Sequence, residues 1–361
     1  MKLTANIMTE DDQFFGEVEF NQHIDKITKL SEVQKDQAWL LPGFVDLHCH
    51  GGGGGDIMDG EAATREVLKI HAKHGTTSLL ATTVTDTHAK LVQVFTHIKQ
   101  IMGSQQADEA HILGVHLEGP FLSREKLGAQ PDLVRSFSLD EILQLHAIAP
   151  IRVITVAPES GLSSSDQEQL IKRGIVIQLG HSNASYEVAA PLLQSNIESV
   201  THLFNAMSSM HHRAPGVTGA ALAHAKNAEL IPDLIHVHPG AIKVALRAID
   251  NLYFVTDATA ASGMPDGEYK LGLQSVHKCA NGVRLKDGTL AGSSLTMDQA
   301  LLNALELGLS FKQASQKLSS IAAKLIKQSD RGVIAKGRVA DLVLVDSTAK
   351  LLKVFVQGNL V

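Results

Sequence analysis

The sequence predicts an α/β fold: a (β/α)8 TIM-type barrel with a small β-sandwich domain formed from both chain ends. Three observations carry this reading. Eight short apolar runs rich in β-branched residues recur along the middle of the chain, with helical stretches between several of them. Six of these runs carry a histidine or a carboxylate within their last three residues. The two ends of the chain carry strand-like runs and turn signals without a clear helix.

The eight runs are FVDLHCH (44–50), TTSLLATT (76–83), ILGVHLE (112–118), IRVITVA (151–157), IVIQLGH (175–181), SVTHLF (199–204), ELIPDLIHV (229–237) and NLYFVTD (251–257). Near-continuous apolar strands separated by helices imply a parallel sheet covered on both faces. Eight such units imply closure into a barrel. The amphipathic segments AATREVLKIHAKH (62–74) and HAKLVQVFTHIKQI (88–101) read as outer helices. The turn-rich stretch GMPDGEYKLGLQSVHKCANGVRLKDGTL (263–290) reads as a loop or hairpin excursion before closing helices at 296–326. The tail GRVADLVLVDSTAKLLKVFVQGNLV (337–361) reads as two or three strands. The expected domains are therefore a sandwich of 1–43 plus 333–361 and a barrel of 44–332.

A chain of 361 residues, 44% hydrophobic, buries a large core. Its formal net charge of −6, with no Lys/Arg cluster, argues against nucleic acid or an anionic membrane as partner. Two cysteines make no disulfide framework and fit a reducing compartment. The N-terminus lacks the apolar core of a signal peptide. No run approaches the ~18 apolar residues that span a bilayer. The expectation is a cytoplasmic protein whose partners are small molecules or copies of itself.

The segment VDLHCHGGGGGD (45–56) points to the chemistry. Side chains alternate along a strand, so His48 and His50 share one face and Cys49 takes the other. Five glycines then let the backbone turn sharply at the mouth of the barrel, where side chains would crowd a bound ion or ligand. Glu118, His181, His202, His236 and Asp257 are expected at the C-terminal ends of strands 3, 5, 6, 7 and 8, the rim where barrels of this class place their active sites. Histidines with carboxylates are the nitrogen and oxygen ligands that zinc or iron prefers. No Gly-x-Ser-x-Gly elbow surrounds Ser293 or Ser294, which argues against a serine nucleophile. His71, His74, His88 and His97 fall on helical stretches and are expected at the surface, and His238-Pro239 is expected to open a helix.

The motifs PGFVDLHCHG, HLEGPF, GHSNAS, THLFNAM, HHRAPG, VTDA, LAGSSLTM and GVIAKGRVADLVLVD together resemble the amidohydrolase superfamily, and within it the N-acetylglucosamine-6-phosphate deacetylases. The resemblance implies that Glu118, His181 and His202 hold a divalent metal, with His48 and His50 available for a second ion shared through Glu118. It implies Asp257 as general base and then general acid, and His236 as donor to the substrate carbonyl. It places Ala129, Gln130, Asn205, Ala206 and Arg213 against the phosphorylated amino sugar. It also implies a homodimer. Gln130 stands where some relatives have histidine, and Ala214 follows Arg213 where glutamate is frequent. These departures leave the galactosamine epimer open beside the glucosamine one. A cyclic amidohydrolase is a weaker fit, because such relatives bear a metal-bridging lysine on strand 4 and IRVITVAPES has none. A non-catalytic scaffold on this fold tends to lose ligands, and this chain keeps them.

Overall fold

The computed structural model describes all residues, Met1–Val361. Eight parallel strands follow one another in chain order: β1 (Phe44–Cys49), β2 (Thr76–Thr82), β3 (His111–Glu118), β4 (Ile151–Val156), β5 (Val176–Leu179), β6 (Ser199–Val200), β7 (Asn227–Leu230) and β8 (Asn251–Phe254). The seam between β8 and β1 closes just beyond the strands. Cys49 bridges to Ala258, and the Asp257 N–H donates to the His48 carbonyl at 2.8 Å. The buried Asp46 carboxylate clips the same seam by accepting from the Thr256 hydroxyl and N–H, at 2.5 and 3.2 Å.

Helices cover the sheet from outside. The segments read as amphipathic form α1 (Glu61–Lys73) and α2 (His88–Met102), and His238-Pro239 opens the helix Pro239–Ala248. α1 buries Thr64, Val67, Leu68, His71 and Ala72, a stripe with helical spacing. His71 is therefore interior, against the surface expectation. Its Nε2 lies 2.9 Å from the Gly51 carbonyl and 3.3 Å from Cys49 Sγ. Cys49 thus faces this helix, as the strand period requires.

The chain ends form a second sheet of seven strands. Its pivot is Trp39–Pro42, which pairs antiparallel with Leu342–Val345 and parallel with Lys2–Met8, then runs through Gly43 directly into β1. Gln13–Phe20 alternates buried and less buried positions, the signature of one covered face. This sheet has its own small core, including Ile7, Val18, Phe20, Leu40 and Phe355, beside the 82-residue core of the barrel. A buried ion pair joins the units: Arg331 donates to Asp341, whose carboxylate also accepts from Ser78 on β2 at 3.4 Å and from the Gln357 N–H at 2.7 Å.

The excursion after β8 is a three-stranded sheet of Gly267–Leu271, Gln274–Cys279 and Gly282–Arg284. Three helices, Met297–Glu306, Phe311–Leu318 and Ser320–Leu325, follow it. Four strands end earlier than the sequence suggests. β5, β6 and β8 stop at Leu179, Val200 and Phe254. β7 stops at Leu230, because Pro232 offers no N–H and Leu234 takes a left-handed φ of 62°.

Candidate active site

Three strands, β5, β6 and β8, stop just short of a site residue. His181, His202 and Asp257 each follow a strand end and adopt positive φ values of 48°, 24° and 49°. Non-glycine residues rarely accept that backbone, and such strain clusters at functional sites. The turn swings each side chain over the C-terminal mouth of the barrel. There they meet His48, at the end of β1, His50 just past it, and Glu118, which closes β3.

Six side chains converge in two groups. Glu118, His181 and His202 form one, and His48, His50 and Asp257 the other. The Nε2 atoms of His181 and His202 lie 3.1 Å apart, and each is 3.1 Å from Glu118 Oε1. The Nε2 atoms of His48 and His50 are also 3.1 Å apart, and they stand 3.4 and 3.3 Å from Asp257 Oδ1. Glu118 reaches both groups, since its Oε2 lies 3.3 Å from His50 Nε2. All six are nearly or fully buried. Nitrogen pairs this close repel as bare lone pairs, and a divalent cation is the species that two imidazoles and a carboxylate bind jointly. The donor set fits such an ion in each group, with Glu118 between them.

The ionisation of the cluster follows from its geometry. Burial pushes the Glu118 carboxyl up, but the charges of His48 and His181 and the hydrogen bonds of His181 and His202 hold it well below the usual carboxylate range. Burial also opposes ionisation of Asp257, yet His48 and His50 bring its carboxyl down to about 2. His50 rises to about 9 against its own desolvation, because Asp257 and Glu118 accept from it.

A cavity of about 300 Å³ opens over this cluster. Ala129, Gln130, Asn205, Ala206 and His236 line it, together with His50, Glu118, His181, His202 and Asp257. Gln130 is fixed at both ends of its amide: its Nε2 donates to Glu118 Oε2 at 2.5 Å and its Oε1 accepts from the Thr85 N–H at 2.7 Å. His236 does not end strand 7 as expected. It sits in the loop six residues past Leu230 and reaches the cavity because Asp233 turns that loop. Asp233 Oδ1 accepts from the N–H groups of Ile235 and His236, and its Oδ2 lies 2.6 Å from His236 Nδ1. Burial lowers the His236 pKa, and Asp233 more than offsets this and raises it.

Two features that the sequence placed at the site lie outside this cavity. Arg213 is exposed, outside the cavity lining, with its guanidinium 2.7 Å from His212 Nε2. Gly51–Gly55 do not line the cavity either. A Cβ on Gly51 would meet the backbone of Ala260 and Gly55 rather than an ion or a ligand. Sequence reasoning also missed wall residues. Leu271, Thr289 and Leu290 arrive from the excursion after β8, whose turn signals mark a loop or hairpin but not a cavity wall. Glu229, fully buried on β7, was missed although a lone charge in an apolar run is a visible signal.

Comparison with known proteins agrees with this geometry. Residues 39–361 match the amidohydrolase family. N-acetylglucosamine-6-phosphate deacetylase of Lysinibacillus sphaericus is 39% identical over 91% of this chain and 89% of its own length. N-acetylgalactosamine-6-phosphate deacetylase of Escherichia coli O157:H7 is 33% identical over 92% of this chain and 90% of its own. Two solved structures superpose with TM-scores of 0.91. The N-acetylglucosamine-6-phosphate deacetylase of Thermotoga maritima is 33% identical, covering 100% of this chain and 99% of its own. A mutant of the Mycobacterium smegmatis deacetylase, in complex with N-acetyl-D-glucosamine-6-phosphate, is 30% identical and covers 100% and 98%. A match over nine-tenths of the sequence, a superposing fold and a converging set of histidines and carboxylates at the barrel mouth place this chain in the amidohydrolase family.

Proposed function

We propose that this chain is a metal-dependent deacetylase. It hydrolyses the acetamide of N-acetyl-D-glucosamine 6-phosphate to D-glucosamine 6-phosphate and acetate, a step in amino-sugar breakdown. The observation that supports this most is the meeting of His48, His50, Glu118, His181, His202 and Asp257 under one cavity. The ion is zinc in this reading, with iron the alternative, and one or two are held per subunit.

An amide resists hydrolysis because its carbonyl is a weak electrophile and its amine a poor leaving group. A divalent cation held by Glu118, His181 and His202, with a second place at His48, His50 and Asp257, supplies Lewis acidity that lowers the pKa of water and polarises the carbonyl. The chain's own residues do the rest. Asp257, ionised at neutral pH, takes a proton from the attacking water and returns it to the departing nitrogen as the C–N bond breaks. The water oxygen leaves in acetate. His236, kept protonated more readily by Asp233, donates to the carbonyl oxygen as charge grows there. Ala129, Gln130, Asn205 and Ala206 hold the sugar against the cluster. Arg213 clamps the phosphate in a bidentate manner, either by movement of its exposed loop or across the interface of a homodimer. The enzyme acts in the cytoplasm; no helix is long and apolar enough to cross a membrane.

The galactosamine epimer is the second reading. The Escherichia coli relative named for that sugar and the cavity position of Gln130 favour it. Steady-state acetate release from both N-acetyl-hexosamine 6-phosphates separates them. A higher kcat/KM on the gluco form is expected, and a clear galacto preference overturns it. Acetate from neither sugar refutes the deacetylase reading.

A further inference from the structure

Glu229 has no part in the chemistry above, yet it is a fully buried carboxylate on β7. Its contact with His48 crosses the barrel lumen, because β7 and β1 are not neighbours, whereas His202 and Tyr253 reach it from the strands on either side. Its Oε2 lies 2.9 Å from His48 Nδ1 and accepts from the His202 backbone N–H at 3.2 Å. Its Oε1 accepts from the Tyr253 hydroxyl at 3.3 Å, and that hydroxyl accepts from Gln178 Nε2 at 2.6 Å. Gln178 Oε1 accepts in turn from the Thr201 hydroxyl at 3.1 Å. A carboxylate buried in a barrel lumen is costly unless it is paired. The network supplies that pairing, and His48 is the imidazole that Glu229 hydrogen-bonds, with His116 Nδ1 farther off at 4.0 Å from its Oε1.

Imidazole presents two different nitrogens. In the neutral ring, a carboxylate at Nδ1 places the single proton there and leaves Nε2 with a free lone pair. In His48 that Nε2 faces His50, Asp257 and Glu118 at 3.1 to 3.5 Å. The four clustered histidines differ in this respect. His181 Nδ1 is held by the Lys126 carbonyl at 2.8 Å, whereas the Nδ1 atoms of His50 and His202 are buried without a partner. Each ligand group therefore contains one anchored ring, and only His48 is anchored by a charge.

We propose that Glu229 is a positioning residue. It holds His48 in the Nδ1–H tautomer with Nε2 aimed into the cavity, so cation binding at His48, His50 and Asp257 depends on it. This rests on the metal-dependent reading above. Glu229 touches the other group only through the His202 backbone, so that group depends on it less. Removing such an outer partner typically weakens metal binding by ~10- to 100-fold.

The test is a Co2+ titration of metal-free protein followed by visible absorption, on wild type, His48→Asn and Glu229→Gln. Circular dichroism melts establish that each variant folds. His48→Asn is expected to lose one class of Co2+ binding. Glu229→Gln is expected to weaken that same class by ~10- to 100-fold and to leave the other within about threefold. Spectra of [15N]histidine-labelled protein are expected to show His48 as the Nδ1–H tautomer in wild type and as a mixture in Glu229→Gln. Wild-type affinity and an unchanged His48 tautomer in Glu229→Gln overturn the proposal while leaving the metal-dependent reading intact. Unchanged binding in His48→Asn removes His48 from the ligands and overturns it too. A wild-type protein that binds no Co2+ refutes the underlying reading as well. Should Glu229→Gln fail to fold, Glu229→Asp decides: it keeps the charge but withdraws it by one methylene. Weakening of the His48-dependent class supports the proposal, and wild-type binding overturns it.

Discussion

Replacing Gly51 by alanine would place a Cβ 2.6 Å from both the Ala260 nitrogen and the Gly55 carbonyl oxygen, and 2.9 Å from the Thr259 carbonyl carbon. All three are backbone atoms, so no side chain can rotate away. The same backbone is hydrogen-bonded to the glycine run: the N–H groups of Gly51, Gly53 and Gly54 donate to the carbonyls of Ala258, Ser262 and Ala260. Overpacking of this kind costs roughly 1–3 kcal/mol, and a clash between two fixed backbones belongs near about 3. Gly54 is the control. It has a left-handed φ of 84°, but its Cβ would find only Met264 Cε at 3.6 Å. Gly54→Ala should lose about 1 kcal/mol, from backbone strain alone. The two differ in function as well. The loop that Gly51→Ala displaces begins directly after Asp257, and a 1 Å misplacement of a catalytic group costs on the order of 100-fold. Urea unfolding midpoints and kcat for acetate release measure both effects. Gly51→Ala should be the less stable of the pair and at least tenfold slower, with Gly54→Ala within about twofold of wild type. Equal behaviour of the two would refute the close-approach argument and return the glycines to a plain flexible loop.

Other outcomes follow from the same contacts. Asp257→Asn should lower kcat by ~10²–10⁴-fold through loss of the proton shuttle, with the melting transition retained; activity within tenfold of wild type would remove Asp257 from that role. Asp341→Ala leaves the Arg331 guanidinium buried without its partner, and should cost ~3–5 kcal/mol in urea unfolding; a loss below about 1 kcal/mol would show that the pair does not join sheet to barrel. Burial holds the His71 imidazole down to about 4, so between pH 4 and 6.5 the unfolded chain binds a proton that the native state refuses. The contribution of neutral His71 is therefore complete above about pH 6.5 and fades as pH falls to 4, by about 3–4 kcal/mol at ~1.4 kcal/mol per unit. His71→Asn should flatten that part of the stability profile; an unchanged acid slope would contradict its burial.

Much of the site was legible because the strand period of two is strict. It fixed His48 and His50 on one face and Cys49 on the other before any fold was known. The runs that carry Glu118, His181, His202 and Asp257 near their C-terminal ends pointed to one rim of a barrel. The places where the reading failed share a cause, since each depends on partners distant in sequence or on backbone that no pattern encodes. The left-handed turns at His181, His202 and Asp257 end their strands early, and nothing in the residue types announces them. Glu229 reads as the first residue of a strand until His48, 181 residues away, is placed beside it. His71 was avoidable: it continues the buried stripe of Thr64, Val67 and Leu68, and the spacing could have shown it. Arg213 illustrates the opposite limit, where a motif names a role and the loop that carries it lies outside the cavity.

The most direct measurement is acetate release from N-acetyl-D-glucosamine 6-phosphate by protein stripped of metal and then titrated with zinc, with bound metal counted in the same samples. Stripped protein should be inactive, and turnover should return in step with the ions bound. Full turnover in the metal-free protein, or bound zinc without any acetate, would contradict a deacetylase built on these histidines and carboxylates.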